Sequence, residues 1–105
     1  MKHRAILRQR LRALRAIVVE VHGEDLYAEE MAAALAGSDE QLKAYLVSNN
    51  LWGGAGSLAD QGGFRITAAL ADLGRAQLGA GVTNPRVKSW VEANDAFDPS
   101  EPRED

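Results

Sequence analysis

Leu7, Leu11, Leu14, Val18 and Val21 follow one another at spacings of four, three, four and three. That rhythm is a single stripe of an α-helix and predicts a helix from about residue 3 to residue 22. Gly23 suits the left-handed residue that closes such a helix, because the conformation costs glycine nothing. A second helix is predicted over about 25–36, where Leu26, Glu30, Met31, Ala34 and Leu35 leave a narrow apolar face among acids and alanines, and Gly37 stops it. Ser38-Asp39-Glu40-Gln41 has the form of a capping box and opens a third helix to about 48, with Leu42, Tyr45, Leu46 and Asn49 on or beside its inner face. Asn49-Asn50 is suited to the exit, since asparagine tolerates turn conformations. Further on, Phe64 and Ile66 return the chain to the core, and Leu70, Leu73 and Leu78 define a long helix from about 65 or 67 to 78, terminated by Gly79 and Gly81. Asn84-Pro85 supplies an N-cap and a proline at the first helical position, so a last helix is expected over about 85–96 with Val87, Trp90, Val91 and Asn94 on one side.

Between the third helix and the long one lies Leu51-Trp52-Gly53-Gly54-Ala55-Gly56-Ser57-Leu58-Ala59-Asp60-Gln61-Gly62-Gly63, which holds five of the ten glycines. Glycine at this density predicts positive φ or close approach of another segment. Leu51 and Trp52 are expected to anchor the turn in the core, the indole N–H requiring a partner there. Ser57 can cap a short helix over 58–61, with Asp60 three residues on. The expected fold is therefore all-α, a single-domain bundle of five to six helices over residues 1–97 with a central Gly-rich turn. From 98 to 105 two prolines and strong charge leave nothing apolar to bury, and a disordered acidic tail is expected.

Length and composition agree with one small globular domain. The chain has 105 residues, 46% of them apolar and 26% charged, and no apolar run approaches the roughly 18–20 residues of a membrane span. Arginines interrupt the apolar residues near the amino terminus, so no secretory segment is expected there. Without cysteine there is neither disulfide nor thiolate chemistry, which fits the cytoplasm. The net charge of −3 conceals an asymmetry: Lys2, Arg4, Arg8, Arg10, Arg12 and Arg15 are six of the twelve basic residues, whereas all fifteen acids lie from Glu20 onward. Arg4, Arg8, Arg12 and Arg15 share a flank of the first helix beside its apolar stripe. Pairing of that flank with the acidic body is one expectation; the other is that it meets a partner, as could the acids Glu29, Glu30, Asp39 and Glu40.

Catalytic patterns are not evident. The turn Gly53-Gly54-Ala55-Gly56-Ser57 lacks the lysine of a P-loop, no strand precedes it, and Ser57 does not stand in a nucleophile elbow. His3 and His22 are too few for most catalytic zinc sites. The carboxylate pairs Glu29-Glu30 and Asp39-Glu40 are sequence neighbours that diverge on a helix and read as solvated faces. No enzyme activity, metal or cofactor is expected.

The stretch Leu51-Trp52-Gly53-Gly54-Ala55-Gly56-Ser57-Leu58-Ala59-Asp60 resembles a motif, LWGG-x-GS-x-x-D, of small uncharacterised bacterial proteins, some of them similar to immunity proteins of toxin systems. Those proteins often carry methionine where Ala55 stands here. Ala80-Gly81-Val82-Thr83-Asn84-Pro85-Arg86 is similar to another of their recurrent segments. The resemblance implies a bacterial origin and a helical fold in which Trp52, Gly53, Gly54, Gly56, Ser57 and Asp60 hold helices together; it supplies no catalytic residue. The functional expectation is a small bacterial or phage protein that binds and inhibits a protein partner of the nuclease or toxin class, in the manner of toxin immunity or anti-CRISPR proteins. The alternatives are a nucleic-acid-binding regulator using the basic first helix and a structural oligomerisation module.

Overall fold

A computed structural model describes residues 2–53, 56–61 and 63–94, except for the side chains of Lys2, His3, Arg4, Asn49 and Gln61. The expected tail at 98–105 lies outside them. The described residues form no strand and seven helices: α1 (Lys2–His22), α2 (Leu26–Ala36), α3 (Asp39–Leu46), α4 (Asn49–Trp52), α5 (Leu58–Gln61), α6 (Phe64–Ala80) and α7 (Pro85–Ala93). Five have eight residues or more, while α4 and α5 are single turns. The result is a small all-α bundle.

The stripe of α1 organises the core. Leu7, Leu11, Leu14 and Val18 are buried against α6 and α2, and each such side chain contributes about 1.5–3 kcal/mol by leaving water. Facing them, α6 presents Ile66, Ala69, Leu70 and Leu73, and α2 presents Ala28, Met31 and Ala34. Three expected core residues are instead exposed, Val21 at 47%, Leu26 at 72% and Phe64 at 41%. Val21 and Phe64 stand where the α1–α6 pair ends, a level marked by the Glu20–Arg65 ion pair at 2.8 Å. Leu26 lies about 140° around α2 from Met31 at 100° per residue. The small Ala28 takes the inner position.

The caps follow the sequence closely. Gly23 has φ of 83°, and Asp25 accepts from the N–H of Ala28. The Ser38–Gln41 capping box is complete, and Asn84 accepts from the N–H of Val87 with Pro85 behind it. Gly37, however, has an ordinary negative φ. Its reason is room: a Cβ there would stand 2.5 Å from Oε1 of the capping Gln41. Gly79 lies within α6, which continues to Ala80 and closes on Gly81 at φ 75°. α7 ends at Ala93, before the expected 96, with Asn94 as its C-cap.

The third helix also stops early, at Leu46, and Asn49-Asn50 begin α4 instead of leading out. Tertiary contacts account for this. Leu51 is fully buried, and the Trp52 indole N–H donates to the Leu46 carbonyl at 2.8 Å, drawing the chain back over the end of α3. The same carbonyl accepts from Nε2 of Gln77 at 2.8 Å, and that nitrogen also donates to the Val82 carbonyl at 3.0 Å. A buried glutamine of α6 thus ties α3 to the loop before α7.

Candidate functional site

Arg8 and Arg15 of the first helix lie on the flank nearest α2, and the structure assigns the arginines of this helix unequal roles. Arg8 reaches past the end of α2: Nη1 donates to the Leu35 carbonyl at 2.6 Å, and Nη2 to the Gly37 carbonyl and to Asp39 Oδ1, both at 3.2 Å. One guanidinium therefore satisfies carbonyls that the helix leaves unpaired and holds the first turn of α3. Two turns along α1, Arg15 donates through Nε to the Ala28 carbonyl at 3.1 Å and through Nη2 to both oxygens of Glu24 at 3.0 and 2.9 Å. Arg8, Arg15 and Asp39 thus act within the molecule as links between helices. Arg12 is exposed, and the side chain of Arg4 lies outside the described residues. Of the two expectations for this flank, internal pairing describes Arg8 and Arg15.

The acids are distributed differently. Glu29, Glu30 and Glu40 are exposed and form no ion pair among the described residues. Glu30 borders a shallow groove of about 300 Å³ between α2 and α3, floored by Ala33, Ala34, Gln41 and Tyr45. The Tyr45 hydroxyl donates to Asn50 Oδ1 at 3.0 Å. Burial first, then the carboxylates of Glu30 and Asp25, raise its phenol well above the ordinary value of 10.0. Both effects disfavour a phenolate, and the second reports a negative field in the groove.

The described residues of the glycine motif make the following contacts. Trp52 and Ser57 are buried at 4% and 3% exposure, the Ser57 hydroxyl accepts from the Asp60 N–H at 3.2 Å, and Gly56 has φ of 87°. The Tyr27 hydroxyl donates to the Gly56 carbonyl, joining the turn to α2. Gly53 is half-buried; Gly54 lies outside the described residues. A close approach occurs at Gly74 of α6, outside the turn: a Cβ there would stand 2.4 Å from Val91 Cγ2 and 3.2 Å from Cη2 of Trp52. Trp52 and Trp90 meet edge to face, centroids 5.3 Å apart at 64°.

Two groupings escaped the sequence. Trp90 of α7 joins Trp52, Ser57, Ala59 and the exposed Asp60 around a cleft of about 160 Å³. Arg10, Ala13 and Ile17 of α1 face Arg65, Ala68, Ala69 and Asp72 of α6 across another of about 170 Å³. Trp90 carried a sequence signal only as a core residue, and no spacing connects it to Asp60. Among the described residues, no group of three or more His, Cys, Asp or Glu is placed to hold a metal ion, and no helix is long and apolar enough to cross a membrane. Compared with protein-family models, curated proteins and solved structures, the chain matches none.

Proposed function

We propose that this chain is a non-catalytic inhibitor that acts in the cytoplasm by binding a basic surface of a protein partner through the acidic face of α2 and α3. The observation that carries this reading is the division of charge: Arg8 and Arg15 are engaged inside the molecule, whereas Glu29, Glu30 and Glu40 of α2 and α3 are exposed, with Glu30 at the border of the α2–α3 groove. Nucleases, and toxins that attack nucleic acid, need basic surfaces to hold phosphates. An acidic face competes for such a surface, and complementary charge accelerates encounter. The negative field felt by Tyr45 beside Glu30 supports the same face.

The test is capture of partners from host lysate, nuclease-treated and read by mass spectrometry, with three baits: the unaltered chain, Glu29→Lys/Glu30→Lys and Arg12→Glu. A stoichiometric protein should bind the first and third, and the double reversal should weaken it about tenfold or more. Equal capture by the double reversal refutes the assigned face. Loss of all capture after nuclease treatment favours nucleic-acid binding through the exposed Arg10 and Arg12 of α1.

A further inference from the structure

We infer that the cleft between Trp52, Trp90 and Asp60 is a receptor for a single arginine side chain of a protein partner. At about 160 Å³ it is well below the roughly 300–1,000 Å³ of small-molecule sites. It has room for a single side chain. Its walls select the chemistry. Tryptophan is the strongest aromatic partner for a cation, and the half-buried Trp90 supplies one at the cleft, backed edge to face by the buried Trp52. Beside it stands Asp60, exposed and in no ion pair among the described residues. An anion would meet that carboxylate as a like charge. An apolar group would strip water from it and leave it unpaired. A cation satisfies both the Trp90 ring and the carboxylate.

Arginine fits better than lysine because its flat guanidinium can stack on an indole while donating two parallel hydrogen bonds to one carboxylate. The receptor is also held in place before anything binds. Trp52 is fixed by its hydrogen bond to the Leu46 carbonyl, and the backbone at Asp60 is fixed by the Ser57 hydroxyl. Ala59 keeps the wall between them low. The assignment rests on the reading that the chain binds a protein, but it uses residues separate from the acidic α2–α3 face and can be tested without the partner.

The purified full chain would be titrated with N-acetyl-arginine amide while the two indole N–H signals are followed by NMR. N-acetyl-citrulline amide serves as the uncharged control, and sodium chloride is matched throughout. The expected result is a saturable shift of the indole signals with the arginine compound and little with citrulline. Asp60→Asn, at an exposed position whose folding is checked by thermal melting, should weaken the arginine response by about fivefold, the contribution of an exposed charge pair. Trp90→Leu should abolish it, but Asp60→Asn is decisive because it leaves the tryptophan contacts intact. No saturable shift, an equal response to citrulline, or an undiminished response in Asp60→Asn overturns the proposal. Any of these would leave the acidic-face reading standing, because that reading is judged by Glu29→Lys/Glu30→Lys.

Discussion

Gly74 and Gly79 lie five residues apart in α6 and differ in what surrounds them. In an open helical position, replacing glycine by alanine removes backbone freedom from the unfolded chain and gains about 0.5–1 kcal/mol. Gly79 is such a position, with nothing within 4 Å of the Cβ it would acquire. At Gly74 the new methyl would stand 2.4 Å from Val91 Cγ2, and valine has little rotamer freedom with which to yield. Overpacking of this kind costs about 1–3 kcal/mol, more than the propensity gain. Urea denaturation should therefore show Gly79→Ala stabilised by about 0.5–1 kcal/mol and Gly74→Ala destabilised by about 1–2 kcal/mol. Equal shifts of the same sign would contradict the packing described.

Among the elements, α2 depends on its neighbour for its ending. No basic residue lies in its last turn, and Arg8 of α1 supplies the donors from outside. Arg8→Met keeps much of the aliphatic stem and removes the hydrogen bonds to Leu35, Gly37 and Asp39; it should cost about 1.5–3 kcal/mol in a denaturation measurement. Arg12→Ala, one turn further on and exposed, should change stability by less than about 0.5 kcal/mol. The contrast marks what the sequence could convey. Local rules sufficed for the stripe of α1, the left-handed Gly23, the Ser38–Gln41 box, the Ser57 cap and the Asn84-Pro85 start, because each is decided within a few residues. Arg8 and Arg12 look alike in sequence, and only the arrival of α2 distinguishes them. For the same reason Asn49-Asn50 resemble an exit in the sequence, whereas the turn they begin is held by the contact of Trp52 with Leu46 and by burial of Leu51. Of the candidate sites, the acidic face was legible from exposed helix positions, whereas the Trp52–Trp90–Asp60 cleft requires α7 to be brought beside the central turn.

At the scale of the molecule, one core joins the helices, so a change in one groove is felt as global stability. Tyr45 provides a pH-dependent case. Below its ordinary value of 10.0 the phenol is neutral whether the chain is folded or not, and the burial that raises it has no consequence for pH dependence. Above that value the unfolded chain releases a proton that the folded chain retains, so stability falls as pH rises. Tyr45→Phe removes this contribution while giving up the hydrogen bond to Asn50, worth about 1 kcal/mol. Urea midpoints measured between about pH 8 and pH 11 should therefore fall less steeply in Tyr45→Phe than in the unaltered chain. Identical slopes would mean that the hydroxyl is not held neutral in the groove.

The gap at Gly74 also bears on how such a chain can drift over generations. A larger residue at 74 becomes acceptable only after 91 has shrunk, and for a bulkier one 52 must yield as well, yet Trp52 cannot shrink without surrendering its hold on the end of α3. Residues 52, 74 and 91 are therefore bound to change as a set, in a restricted order, while the exposed acids of α2 and α3 are free of that constraint.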